Sequence, residues 1–216
     1  MPALSTRPAP EKSTRRREAT RERLLDAARE VMAESGIHSA TVEEICDRAG
    51  FTRGAFYSNF DTKDDLILDL FRRERDLMLG RVRAAVDTEI KSPGATDAET
   101  LVRVLDQFLA SQPTDRTWFL VHQEFVIHGA RQREIADVYQ ELWTQTQDEF
   151  AGIVRWAVDA LGRRLVLPAE QVTLIIMGVF DEAMRNAFLS SAADDFDATV
   201  LREMLPNLLM AFSVPD

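Results

Sequence analysis

The segment that most constrains the fold of this chain is residues 41–66, TVEEICDRAGFTRGAFYSNFDTKDDL. Thr41 and Glu44 have the Thr-x-x-Glu spacing of a capping box, which predicts that a helix begins directly after Thr41. Gly50 predicts the end of that helix, because glycine readily adopts the left-handed backbone of a helix C-terminus. Thr52 follows at once as a residue that can cap a further helix. The chain must therefore turn sharply between two short helices.

Two short helices joined by a glycine-containing turn are a helix-turn-helix arrangement, and the second of them is expected over residues 53–59. Apolar side chains at helical spacing predict a preceding helix over residues 17–35, which Gly36 would end. A fourth helix is expected to open at Thr62, with Asp65 at its third position as another cap. Helices this short need buried aromatic side chains to hold together. The candidates are Phe51, Phe56 and Phe60.

The remaining sequence also predicts helices. Apolar side chains recur at helical spacing, and no stretch alternates between apolar and polar residues as a half-buried strand does. The expected helices cover residues 98–111, 115–129, 131–161, 169–189 and a last segment from Leu201 to Phe212, with a break at residues 91–96 and a kink at Pro206. The predicted fold class is therefore all-α, with about nine helices in all.

Charge is divided unevenly along the chain. The 216 residues carry a formal net charge of −10, yet residues 1–60, the head, contain ten basic and nine acidic side chains. Residues 61–216, the body, contain 16 basic and 27 acidic side chains. The head is thus close to neutral and the acidity lies in the body, so overall charge does not exclude nucleic acid as a partner of the head.

Several kinds of site and location find no support in the sequence. No run approaches the roughly 20 apolar residues that cross a bilayer, and the first residues lack the apolar region of a signal peptide, so we expect a cytoplasmic protein without membrane contact. Cys46 and three histidines give no metal-ligand spacing. Gly-x-Ser-x-Gly, a phosphate-binding glycine loop and His-Glu-x-x-His are all missing. We therefore expect no cofactor, metal or catalytic residue.

Residues 41–66 resemble the DNA-binding motif of the tetracycline-repressor (TetR) family of bacterial regulators. The resemblance rests on the pair Ala49-Gly50, on the run from Gly54 to Phe60, and on Lys63 at the following helix start. Beyond the fourth helix, the chain is similar to the family only in length and helical character. The resemblance implies a three-helix DNA-binding domain followed by a larger helical domain for ligand binding and dimerisation. We expect a flexible basic arm over residues 1–16, the DNA-binding domain over 17–64 and the ligand-binding and dimerisation domain over 65–216.

The third helix is the predicted DNA-reading element. A helix that enters the major groove needs short side chains where its backbone approaches the duplex, and Gly54 and Ala55 provide them. Arg53 has a planar fork that fits the O6 and N7 atoms of guanine, whereas Tyr57 and Lys63 suit phosphates. Taken singly, three of these residues also have structural interpretations. Gly54 fits an ordinary weak helix position, Tyr57 a core aromatic and Lys63 a solvated charge. The full candidate set is Thr41, Thr52, Arg53, Gly54, Ala55, Tyr57, Ser58, Asn59 and Lys63.

The body is predicted to pair with a second copy. One short recognition helix contacts few base pairs, so two-fold pairing is needed for useful specificity. The last two helices carry more apolar surface than one small body easily covers, and the resemblance implies that they form a four-helix bundle with their symmetry mates. The candidate interface residues are Ile176, Val179, Phe180, Ala183, Ala187, Leu201, Leu205, Leu208 and Phe212. The alternative for them is the body's own core.

Aromatic residues of the body indicate where a small molecule would bind. Trp118, His122 and Phe125 share one face of the helix predicted at residues 115–129, and members of the resembled family commonly bind a ligand among such helices. Asp181 is a candidate polar contact in an otherwise apolar helix. The candidate ligand-binding residues are Trp118, His122, Phe125, Trp143, Phe150, Met177 and Asp181. Core packing is the alternative for the apolar ones, and a surface or capping position for Asp181.

The sequence thus predicts a homodimeric, ligand-responsive transcriptional regulator. The expected partners are a palindromic operator in double-stranded DNA and a small-molecule effector that releases the protein from it, as in a repressor. Two alternatives stay open: an interaction protein of the same fold that no longer reads DNA, and an enzyme. Neither the effector nor the operator follows from the residues.

Overall fold

The computed structural model describes residues 10–90, 99–100, 102–104, 106–107, 116–190 and 198–216. Its helices are α1 (Pro10–Ser35), α2 (Val42–Ala49), α3 (Arg53–Tyr57), α4 (Lys63–Ile90), α5 (Arg116–Arg131), α6 (Arg133–Ala160), α7 (Ala169–Ser190) and α8 (Thr199–Ala211). The described residues between 99 and 107 are helical as well. Helices form almost all of the described chain, which confirms the predicted all-α fold class.

The capping signals of the head form as predicted. The backbone N–H of Glu44 donates to the Thr41 hydroxyl at 3.2 Å, and the Thr41 N–H donates to the Glu44 carboxylate at 2.9 Å, so α2 begins at a complete capping box. Thr62 and Asp65 form the equivalent pair of hydrogen bonds at the start of α4. Gly50 ends α2 with a φ of +71°, a left-handed conformation that side chains other than glycine rarely adopt.

Aromatic side chains close the small core of the head. Phe56 and Phe60 are buried, with ring centroids 5.6 Å apart, as predicted. Phe51 is half-buried, and the Arg23 guanidinium carbon lies 4.7 Å from the centre of its ring. These rings pack against the apolar faces of α1 and α2, so three short helices hold a common core.

Several predicted boundaries were wrong. Helix α1 begins at Pro10, so residues 10–16, expected to lie in a flexible arm, are helical. Proline is favoured at the first position of a helix, and the Lys, Arg and Glu residues that follow it have good helix propensity. Residues 1–9 lie outside the described part of the chain, as do the predicted break at 91–96 and much of the helix predicted at 98–111. Helix α3 ends at Tyr57, two residues earlier than expected.

A small antiparallel sheet was not predicted. Strand β1 (Arg163–Leu165) pairs with β2 (Ser213–Pro215), with Arg163 opposite Pro215. The Arg163 side chain is buried and donates from Nε to the Ser213 hydroxyl at 2.9 Å and from Nη2 to the Ser213 carbonyl at 2.8 Å. Strands of three residues are too short for an alternating pattern to be read from sequence. The sheet joins the end of α6 to the chain beyond α8.

The body core contains residues that were predicted to form the dimer interface. Ile176, Phe180, Leu201 and Leu205 are buried within this single chain, which fits the alternative that they belong to the body's own core. The apolar faces of α7 and α8 cover that core. The other five predicted residues, Val179, Ala183, Ala187, Leu208 and Phe212, are half-buried. Pro206 lies inside α8, which continues to Ala211.

Candidate DNA interface and effector cavity

Helix α3 presents Arg53 and Tyr57 on the outside of the head. Tyr57 is 49% exposed, and the Arg53 guanidinium carbon lies 5.9 Å from the centre of its ring. The same guanidinium pairs with Glu43 of α2 at 2.5 Å. Thr52 caps α3, because its hydroxyl accepts a hydrogen bond from the Ala55 N–H at 3.3 Å. Thr41 is also exposed, and Ala55 is half-buried. A guanine would therefore have to replace Glu43 as the partner of Arg53.

Gly54 leaves the outer surface of α3 bare between these two side chains. Its φ is not positive, so the backbone itself does not require glycine. A Cβ at this position would meet only the Thr52 hydroxyl oxygen, at 3.7 Å, which is ordinary van der Waals contact. Nothing in the described chain therefore explains why a residue of poor helix propensity stands here. The bare backbone is suited to close contact with an external surface.

Ser58 and Asn59 are engaged in ending α3. The Ser58 hydroxyl and the Asn59 side-chain amide both donate to the Ala55 carbonyl, each at 2.8 Å. The Asn59 Oδ1 atom is buried and has no hydrogen-bond partner among the described residues. Ser58 is exposed and Asn59 half-buried, so of the two only Ser58 lies on the open surface beside Tyr57.

Lys63 has a role that the sequence did not predict. Its ammonium group donates to the carbonyl of Ile37 at 3.0 Å and to that of Ala40 at 2.9 Å. These carbonyls belong to the connection between α1 and α2, where no helical N–H is available to pair with them. Two of the three N–H donors of this ammonium are thus used within the chain, and the predicted phosphate contact would have to use the third.

The same connection is also held from the body, by Glu124 of α5. The N–H of Ile37 donates to the Glu124 carboxylate at 2.8 Å. Gly36, with a φ of +80°, lies so close that a Cβ there would come within 3.1 Å of that carboxylate. The imidazole Nε2 of buried His128 lies 3.3 Å from an Asp64 carboxylate oxygen without forming a hydrogen bond to it. Sequence reasoning missed these contacts because they join residues far apart in the chain.

A cavity lies in the body among α4, α5, α6 and α7. Its volume is about 60 Å³. The structure brings all seven residues predicted for ligand binding together in its wall. The other lining residues, which sequence reasoning did not select for this site, are Phe71, Glu74, Arg75, Met78, Val121, Thr146, Ile176 and Phe180. Four of these belong to α4, so the helix that follows the recognition helix also forms a wall of the cavity.

Aromatic rings surround an imidazole in this wall. The ring of His122 stacks on Trp118, with centroids 5.2 Å apart and planes 4° from parallel, and lies 5.8 Å from the ring of Trp143. Phe180 meets Trp118 edge-on at 6.4 Å. The Nδ1 atom of His122 is buried and has no hydrogen-bond partner in the described chain. Burial lowers the pKa of His122, against the weaker opposing effect of Asp181, and keeps the imidazole neutral.

Like Glu74, Asp181 is an acidic residue of the wall. Burial raises the pKa of its carboxyl, although His122 and Arg185 act in the opposite direction. None of the described residues lies within hydrogen-bond or ion-pair distance of this carboxylate. Tyr139, which stacks on Trp143, has its pKa raised to about 12 by burial and secondarily by Asp181, so it stays a neutral phenol.

Metal binding and membrane insertion find no support among the described residues. No group of three His, Cys, Asp or Glu side chains there could hold a metal ion. Cys46 is buried in the head, where burial raises the pKa of its thiol. Among the described helices, none combines the length and apolar character needed to cross a membrane.

The head is similar in sequence to known proteins. Residues 24–70 match the family model described as bacterial regulatory proteins, tetR family. Over 142 residues the chain is 28% identical to the HTH-type transcriptional repressor KstR2 of Rhodococcus jostii, a match that covers 63% of this chain and 67% of that protein. Several other curated relatives match over only 35% of their own length.

Solved structures of similar fold cover the body as well. The regulator FadR from Bacillus subtilis, solved in complex with stearoyl-CoA, is 23% identical and superposes with a TM-score of 0.66 over 87% of this chain and 96% of its own. A transcriptional regulator from Saccharomonospora viridis in complex with choline is 19% identical, with a TM-score of 0.65 over 89% and 96%. At these identities the likeness shows a shared fold.

Proposed function

We propose that this chain, whose residues 24–70 match the family model of tetR bacterial regulatory proteins, belongs to that family and is a homodimeric repressor of transcription in the cytoplasm. It binds a palindromic operator and leaves it when a small molecule occupies the body cavity. No catalytic role is assigned to any residue. One observation carries the proposal. Helix α3 is exposed and has no side chain at Gly54, and α4, the helix that follows it in the chain, lines the body cavity.

On the DNA side, the division of labour follows from side-chain chemistry. Arg53 leaves Glu43 and donates its two parallel N–H groups to a guanine edge, which gives base specificity. Tyr57 donates its hydroxyl to a phosphate, which gives affinity without sequence preference. Gly54 lets the backbone of α3 lie close to the groove. The acidic body stays away from the duplex, because its net charge is repelled by the phosphates.

Coupling between cavity and DNA runs through α4 and α5. Both helices line the cavity, and both hold the connection between α1 and α2, α4 through Lys63 and α5 through Glu124. A ligand that separates α4 from α5 changes the position of this connection, and with it the orientation of the head. The ligand can do so only to the extent that it binds one arrangement more tightly than the other.

Pairing of two copies is proposed on the outer faces of α7 and α8. The exposed apolar residues of these helices include Leu174 (59% exposed), Leu189 (77%), Val200 (58%) and Met204 (43%). These four replace the buried residues that sequence reasoning assigned to the interface. A symmetric contact over both helices would remove them from water, and large exposed apolar groups on neighbouring helices are typical of association surfaces.

The function is tested by selecting bound sequences from random double-stranded DNA and then measuring affinity at several salt concentrations. We expect a palindromic sequence to emerge. Arg53→Ala should relax the base preference, and Tyr57→Phe should weaken binding to all sequences alike. Arg155→Ala is the control, because this exposed arginine lies on α6 and pairs with Glu170. Failure to enrich any sequence would favour an interaction protein that no longer reads DNA.

A further inference from the structure

We propose that the body cavity takes an organic cation, an ammonium or related group carried on a compact apolar or aromatic frame. The inference rests on the proposed function, because it identifies the chemical class of the effector for the same cavity. Three features of the wall support it: the pairing of its charges, the faces of its rings, and the groups without a hydrogen-bond or ion-pair partner among the described residues.

The charges of the wall leave one carboxylate uncompensated. Of the charged lining residues, Glu74 lies 3.1 Å from Arg73 and 3.8 Å from Arg29, and Arg75 pairs with Glu149. Asp181 has no such neighbour within the described chain, since Arg185 pairs with Glu182 instead. A carboxylate in apolar surroundings is costly unless an opposite charge meets it. A ligand cation would supply that charge.

The rings of the wall suit a cation as well. Trp118, Trp143 and Phe180 stand around the imidazole of His122, and Phe125 and Phe150 extend the aromatic lining. The negative faces of such rings attract ammonium groups, most strongly where water is excluded. A neutral imidazole can also accept a hydrogen bond from an N–H donor, and no residue in the described part of the chain forms a hydrogen bond with the buried Nδ1 of His122.

Other ligand classes fit these groups less well. An anionic head group would meet Asp181 and Glu74 and would have to draw Arg75 away from Glu149. A neutral apolar molecule would supply no opposite charge, so the free-energy cost of the Asp181 carboxylate in its apolar surroundings would remain. The cavity, at about 60 Å³, is smaller than the roughly 150 Å³ in which an apolar cavity holds benzene, so an aromatic ligand enters only if the wall opens. Met78 and Met177 are flexible side chains in the wall that can move aside to admit it.

The test compares three probes of similar frame and different charge: phenyltrimethylammonium, neutral tert-butylbenzene and benzoate. Binding to the full-length protein is measured by calorimetry, and release from the selected operator by fluorescence anisotropy. We expect phenyltrimethylammonium to bind roughly tenfold or more tightly than tert-butylbenzene, and benzoate to bind more weakly than both. Equal binding of the cation and its neutral counterpart would overturn the proposal, as would binding of neither.

Two substitutions on α7 identify the group responsible. Asp181→Asn keeps the shape of the side chain and removes its charge. It should therefore abolish the preference for the cation and leave the binding of tert-butylbenzene unchanged. Glu170→Gln removes an exposed carboxylate from the first turn of the same helix and should change neither. Thermal unfolding of both variants checks that they are folded. An unchanged preference in Asp181→Asn would refute the assignment.

The outcomes separate this inference from the proposed function. If a neutral or anionic probe releases the operator and the cation does not, the protein is a ligand-responsive regulator and the cation assignment is wrong. If the cation binds through Asp181 but no DNA is bound at all, the cavity assignment stands and the regulatory function fails.

Discussion

Replacing Gly54 by alanine should make the free protein more stable. The added methyl would lie 3.7 Å from the Thr52 hydroxyl and within 4 Å of no other non-local atom, so it causes no clash. Alanine in a helix is favoured over glycine by about 0.5–1 kcal/mol. For a chain of this size, that corresponds to a rise of roughly 1–4 °C in the unfolding temperature.

The same substitution should weaken operator binding. In the proposed complex the methyl group points at the groove and must be accommodated where the backbone of α3 approaches the bases. Forcing an extra methyl group into a closely packed contact costs about 1–3 kcal/mol. This corresponds to a loss of roughly fivefold to 150-fold in affinity for each half-site. Gly54→Ala is therefore expected to raise stability and lower DNA affinity together, which a purely structural glycine would not do.

The assay pairs calorimetric unfolding with anisotropy titrations on the selected operator. Gly152→Ala is the matched control, because Gly152 lies in α6 and a Cβ there would meet nothing within 4 Å. It should gain similar stability and keep wild-type DNA affinity. If Gly54→Ala binds the operator as tightly as the wild type, α3 does not lie close to DNA at this residue and the proposed docking is wrong.

Glu124→Ala removes the acceptor of the Ile37 N–H, so the ligand-induced change in operator affinity should shrink toward onefold; full ligand response would contradict the coupling route. Lys63→Met should lower the free energy of unfolding by about 1–3 kcal/mol and leave the salt dependence of DNA binding intact, whereas a phosphate contact would lower the salt slope by about one. Leu174→Glu with Met204→Glu should leave the fold intact and convert the dimer to a monomer in sedimentation experiments.

Local signals in the sequence predicted the head well. The capping pairs Thr41 with Glu44 and Thr62 with Asp65 act over three residues, so nothing elsewhere in the chain had to be known to find the starts of α2 and α4. The aromatic face of α5 likewise predicted which of its residues would share a cavity, since side chains at helical spacing lie on one side.

Contacts between distant elements could not be predicted in the same way. Glu124 and Ile37 are 87 residues apart, and nothing in the sequence links a helical glutamate to one backbone N–H. Periodicity identified the apolar faces of α7 and α8 but did not tell which element covers them, so buried Phe180 and Leu201 were assigned to a partner. The wall that α4 contributes was missed because its lining residues include charged Glu74 and Arg75.

Helix α7 contributes residues both to the cavity and to the outer surface proposed for pairing. Met177 and Asp181 line the cavity, and the exposed side chains of Leu174 and Leu189 lie on the outer surface. The strand pairing of β1 with β2 closes the chain around α7 and α8, so a shift of one helix is passed to the other. In a dimer built on that outer side, filling the first cavity would alter the affinity of the second. Saturation curves would then depart from a simple hyperbola even though the two cavities never touch.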